Sequence, residues 1–275
     1  PAAAAASLAA SDATSDAPDL ECAARNTKPV YAAAPRFERS VRNGALFRAG
    51  GADDAIALVH LWGSAYERGY AHGQLMHDEV NTFFIRSFAY FESQFESALT
   101  KEVPWVPRAV AKAVAEVGLD AALDATRDAT RAHTGGWFDD EMRGLSEASG
   151  VSLRLIERVH MIGELTKGSC SMAGAWGPAT PSGALTQLRA LDWSVGGPFE
   201  DFPQVTVYHG SGDGEGETFA NVGWTGWIGS ITGMSARGVA ISEIGVSFPD
   251  ATFGDESRFG VPFTFLLRDV LQFDA

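Results

Sequence analysis

At Cys170 the spacing of apolar residues changes character: before it they recur every three or four positions, and after it they alternate. A chain built this way makes helices first and a sheet second, which reads as an α+β fold. Upstream, AIALVHL at 55–61 reads as a short buried strand, and Gly63 followed by SAYERGYAHGQLMHDEV opens a long helical region. There Val80, Phe84, Phe88, Phe91, Phe95 and Leu99 form one apolar stripe, expected to be core. A second helix is expected after Pro107 with Val110, Val114 and Val117 in register, and a third from about Phe138, where Asp139, Asp140 and Glu141 favour its N-terminus. Gly150 stops that helix, and Ser152 caps a fourth carrying Leu155, Ile156, Val159 and Ile162. Downstream the segments CSMAGAW, ALTQLRALDW, QVTVYH, TFANV and GVAISEI read as strands, with GPATPSG and GSGDGEGE as hairpin connections. The stretch 210–216 resembles a phosphate loop in composition alone, lacking the Lys-Ser/Thr that such a loop requires.

Composition excludes several functions. With 35 acidic against 21 basic residues, the chain carries a formal charge of −14, which repels phosphate backbones and argues against a nucleic-acid partner. Even the most apolar region, 83–95, is interrupted by Arg86, Glu92 and Gln94, so no transmembrane segment is expected. The Ala/Ser/Asp-rich opening, residues 1–20, reads as a disordered leader rather than an intact signal peptide. Two cysteines, Cys22 and Cys170, are too few for a disulfide framework or a cysteine zinc site. His72 and His77 are five apart, which is not helical metal spacing, so both read as surface or capping residues; neither metal nor cofactor is expected. The absence of G-x-S-x-G disfavours a serine hydrolase of the α/β type.

A cysteine opening a strand directly after a helical segment can become a chain terminus if the Ser169-Cys170 bond is cut. Its own α-amine then serves as general base for the thiol. Taken alone, Cys170 reads equally as a small buried hydrophobe. Two further features distinguish it. Arg189 and Asp192 interrupt the apolar strand LRALDW, and buried charges there would need partners. Being three apart, both reach one cysteine only if the strand ends or bulges near Asp192; otherwise they form a surface ion pair at a strand end. Glu243 falls on the face shared by Val239 and Ile241, which places a carboxylate on an apolar stripe, at the sheet's end or in a site.

The segment EMRGLSEASGVSLRLIERVHMIGELTKGSCS (141–171), with Glu164-Leu165 just ahead of Cys170, resembles the lead-in to the nucleophile in the acid ceramidase-like and isopenicillin-N acyltransferase-like branch of the N-terminal-nucleophile hydrolases. LRALDW, ANVGWTGWIGSITGMSARGVAISE and HLWGSAYERGYAHGQL are similar to the same branch, so the resemblance extends from about Ala55 to the end. It implies a four-layer αββα sandwich, with residues 21–169 as a mainly helical α-subunit and 170–275 as the start of the β-sandwich, truncated here. It also implies self-cleavage between Ser169 and Cys170, with both fragments remaining associated, and hydrolysis of a lipid-like N-acyl amide, possibly ceramide, in a secreted or lysosome-like location. By position Cys170 is the nucleophile, Arg189 and Asp192 orient thiol and amine, Glu243 matches the family's glutamate, and Trp193, Trp224 and Trp227 contact substrate. Cys22 matches a cysteine that bridges to the later half, and a Cys22–Cys170 disulfide is not expected. The Cys-to-Arg interval of 19 exceeds the family's common spacing, implying a longer hairpin at GPATPSG. FLLRDVLQFDA precedes the family's oxyanion asparagine, a type of donor worth about 10²–10³ in turnover. The alternatives are an acyltransferase using the same thioester and a catalytically silent lipid- or partner-binding homologue.

Overall fold

The computed structural model describes residues 33–51, 54–102, 108–165, 169–192, 197–210, 216–244 and 260–273. The leader and Cys22 lie outside the described residues. Nine strands and six helices are found among them: β1 (Arg36–Val41), β2 (Gly44–Ala49), β3 (Ile56–Leu61), α1 (Ala65–Leu75), α2 (His77–Glu102), α3 (Arg108–Arg131), α4 (Gly136–Ser149), α5 (Leu153–Leu165), β4 (Ser169–Ala175), β5 (Thr186–Asp192), β6 (Pro203–Tyr208), β7 (Phe219–Trp224), β8 (Thr232–Ser235), β9 (Ala240–Ser242) and α6 (Phe263–Phe273). Seven strands form one sheet in the order β1-β2-β3-β6-β7-β8-β9; β4 and β5 form a separate antiparallel pair. Among the described strands, β3 and β6 alone run parallel, joined by a crossover that contains α1 to α5 and the β4–β5 hairpin.

The two faces of the large sheet differ. Leu46, Ala57, Val59, Leu61 and Phe219 point to the helix side and are buried. On β6 the alternation places Gln204, Thr206 and Tyr208 on that buried side and Val205 and Val207 on the other. Register carries this second, apolar face across the strands: Phe37 opposite Phe47, Leu58 opposite Val205, Val205 opposite Val222, Ala220 opposite Met234. It is incompletely covered, with Phe37 61%, Val222 45% and Met234 59% exposed.

The helical layer packs through close backbone contact. A Cβ on Gly69 of α1 would overlap the Glu141 carbonyl of α4, and one on Gly144 would overlap that of Tyr66, so glycine at both positions lets the helices approach. Ser64 and Glu67 form a capping box that starts α1. The long helical region expected from sequence divides at Met76 into α1 and α2. Its stripe is core only in its first half: Val80, Phe84 and Phe91 are buried, whereas Phe95 is 43% exposed. The expected face of α3 is corrected as well. Val114 and Val117 are exposed, and α3 packs through Ala115, Leu119 and Leu123, because the partner surface on α2 and α5 lies on that side. Val110 lies outside the described side chains. Strands β1 and β2 carried no clear alternation and were not expected; β1 is almost wholly exposed.

Candidate active site

Helix α5 ends at Leu165, and β4 begins at Ser169, so its second residue is Cys170. The GPATPSG connection turns the chain back: the Gly177 N–H donates to the Gly183 carbonyl at 3.1 Å, with Gly177 (φ 56°) and Gly183 (φ 73°) supplying left-handed backbone. The β4–β5 register is regular, pairing Ser169 with Asp192, Cys170 with Leu191 and Met172 with Arg189. Cys170, Met172, Arg189 and Leu191 therefore share one face of the hairpin.

That face meets the open face of the large sheet at its β8–β9 end. The Cys170 thiol donates to Glu243 Oε2 at 3.6 Å, a bond between residues 73 apart in sequence. Arg189 donates through Nε to Thr232 Oγ1 at 2.7 Å, while its buried Nη1 has no hydrogen-bond partner among the described residues. Thr232 pairs with Ser242 across β8 and β9, and the Glu243 N–H, one residue on, donates to the Ile231 carbonyl at 2.8 Å. Cys170, Arg189 and Glu243 are thus gathered where the two sheets meet. Cys170 is a free, half-buried thiol. β5 ends at Asp192 without a bulge; the side chains of Ser169 and Asp192, and Trp193 altogether, lie outside the described residues.

Trp224 and Trp227 belong to an aromatic layer. Trp227 is buried, its ring stacked on His160 with centroids 4.7 Å apart, and the half-buried Trp224 packs edge-on against Trp227 and Phe199. Trp227 is a core ring, 8% exposed.

Sequence reasoning missed the polar centre beneath this layer. Arg268 of α6, fully buried, donates to Glu141 Oε2 at 2.6 Å and to the Ile228 carbonyl at 2.9 Å, and lies 4.3 Å from the Tyr208 ring centroid. Burial alone would push the Glu141 carboxyl up, but Arg268 and Arg68 more than offset it and hold it below the usual carboxylate range. His72, expected at the surface, has no exposure. Its Nε2 accepts from the Gln204 amide at 2.7 Å and the Gly226 N–H at 3.2 Å. His160 donates from Nδ1 to the Ile156 carbonyl at 2.8 Å and accepts at Nε2 from the Ile228 N–H at 3.0 Å. Burial lowers both imidazoles to about 4, so both are neutral acceptors that hold the turn leading into β8. The available signal was Gly69 and Gly73 beside His72, marking a face of α1 pressed against another backbone. His77 is exposed beside Asp78.

Among the described residues no group of three or more His, Cys, Asp or Glu could hold a metal ion, and no helix is long and apolar enough to cross a membrane. No family model matches the chain. It is similar to two proteins of Dictyostelium discoideum, "Protein dcd1B" and "Protein dcd1A". Identity to the first is 36% over 247 residues, covering 90% of this chain and 48% of that protein. Identity to the second is 38% over 256 residues, covering 90% of this chain and 57% of that protein. The chain spans about half the length of these curated relatives.

Proposed function

We propose that this chain carries the nucleophile portion of a cysteine N-terminal-nucleophile amidohydrolase acting on N-acyl, lipid-like amides, in a secreted or lysosome-like setting. The observation that carries the reading is the meeting of Cys170 with Glu243 at 3.6 Å, beside an Arg189 bound to Thr232 on β8, the strand paired with the one that precedes the glutamate. A carboxylate within reach of a thiol can take its proton. The sulfur then attacks the Ser169 carbonyl carbon, the S–C bond forms as the C–N bond to Cys170 breaks, and the amine nitrogen gains a proton. Water hydrolyses the thioester, leaving the Ser169 carboxylate, a free thiol and a new α-amine. In turnover that amine deprotonates the thiol, the sulfur attacks the substrate's acyl carbon as its C–N bond breaks, the α-amine passes the proton to the departing substrate amine, and water again resolves the thioester.

Two features support an αββα sandwich around this site. The apolar outer face of the large sheet, with its valines on β6, is what a second sheet would cover, and the β4–β5 hairpin already lies on one end of it. The protein carrying these residues should run as two bands on a denaturing gel, the smaller beginning Cys170-Ser171-Met172, and Cys170→Ala should give one. Ceramides, N-acylethanolamines and penicillin-type amides, offered across a pH range, would identify the amide. A wild type that neither cleaves nor hydrolyses any of them would remove the reading.

A further inference from the structure

The contact that ties Arg189 to the large sheet has no role in the chemistry above. A guanidinium can only donate, so in the 2.7 Å bond from Arg189 Nε the Thr232 hydroxyl oxygen is the acceptor. Thr232 lies on the sheet face that the hairpin covers, opposite Ser242. The preceding residue, Ile231, holds the Glu243 backbone through its carbonyl. One peptide step at the start of β8 therefore fixes both the carboxylate at the thiol and the guanidinium beside it. The step is itself firmly held: the Ser230 N–H donates to the Thr264 carbonyl at 2.9 Å, Asn221 Nδ2 donates to the Gly229 carbonyl at 2.7 Å, and Ser230 and Ile231 are buried.

We propose that Thr232 is a positioning residue: by accepting from Nε it sets the plane of the Arg189 guanidinium and keeps the unpartnered Nη1 for the groups reacting at Cys170. The inference rests on the amidohydrolase reading of this site. Arginine has many rotamers, and a half-buried one loses orientation when the one directional bond it makes among the described residues is removed. The hydroxyl supplies that direction. Threonine also suits a strand, which valine does equally, so Thr232→Val removes the acceptor and little else.

The test uses the full-length protein as wild type, Thr232→Val, Thr232→Ser, Arg189→Lys, the Arg189→Lys/Thr232→Val double variant and Cys170→Ala. The readouts are the rate of cleavage at Ser169-Cys170, kcat and KM on a medium-chain N-acyl aminocoumarin, and the melting temperature. Positioning predicts that Thr232→Val slows cleavage and kcat by about ten- to a hundredfold with KM nearly unchanged, the scale of a misplaced reacting group. Thr232→Ser should restore most of the rate, and Thr232→Val should add nothing in the Arg189→Lys background. The proposal is overturned if Thr232→Val matches wild type, if valine and serine variants lose rate equally, or if the loss persists in full with Arg189→Lys. Cleavage that continues in Cys170→Ala would instead overturn the amidohydrolase reading. Cleavage abolished there while Thr232→Val behaves as wild type would sink the Thr232 inference alone.

Discussion

Two polar centres of this molecule are built in opposite ways. Around Glu141 and Arg268 the charges are fully buried and held from four elements, α1, α4, β6 and α6. Around Cys170 the side chains are half-buried, and side-chain bonds from Cys170 and from Arg189 tie the β4–β5 hairpin to the large sheet. Its far face is open, with Leu188 66% exposed. A buried pair contributes mainly by being unbreakable at low cost, since removing one partner strands the other. A half-open thiol and guanidinium contribute little to stability and leave room for a reacting group. The first centre helps set the fold; the second leaves its thiol accessible.

Substitutions can break this division. Cys170→Ala should abolish cleavage and hydrolysis while leaving the melting temperature nearly unchanged, and Glu243→Gln should lower the cleavage rate by about 10²-fold or more, the scale of a lost acid–base group. A large fall in melting temperature for either would show that the hairpin is structural after all. Arg268→Met should do the reverse. Stripping the buried Glu141 of its Arg268 partner costs roughly 3–5 kcal/mol, measurable by denaturant unfolding.

A pH titration of stability sharpens the same contrast. His72 and His160 are held neutral in the fold, with pKa values lowered to about 4 by burial, whereas an unfolded histidine titrates near 6.5. His72 faces Gln204 and the Gly226 N–H and feels Glu141 and Arg268; His160 faces Ile156 and Ile228 and feels those two groups and Arg127. Between these pKa values the unfolded chain binds more protons. The histidines' contribution to stability is therefore full above about pH 6.5, declines as pH falls, and is lost by about pH 4, on the order of 3 kcal/mol per histidine. Unfolding at pH 7 and pH 4.5 measures this directly, and His160→Gln, which can keep both roles in part, should flatten the curve. An unchanged midpoint would mean the histidines are not neutral in the fold. The smallest effect is expected on α3: Val117→Ser should change stability by about 0.5 kcal/mol or less, against roughly 2–5 kcal/mol for Leu123→Ala.

Much of this organisation could be read from local pattern. The strands around Cys170, Arg189, Val205 and Ala220 and the start of α5 at Ser152 announce themselves by alternation and capping, because both depend on neighbours in sequence. Strand β1 escaped because RFERSV sits at an exposed edge with no buried face to impose alternation. Periodicity placed Val114 and Val117 inside because it registers that a helix has an apolar side, not which side its neighbours cover. His72 and Arg268 were missed for a related reason: polar residues are usually outside, and only a partner from another element makes their burial tolerable.

By itself the sequence determined where helix yields to sheet, that Cys170 sits at that junction, and which nearby strand residues carry charge. It could do so because side-chain period is a property of a few consecutive residues. Only the tertiary structure decided that the hairpin lies on the open sheet face, that Cys170 reaches a glutamate 73 positions away, and that Thr232 holds Arg189. Those contacts depend on how separate elements pack, and no local repeat encodes the register between surfaces that meet only when the chain has folded.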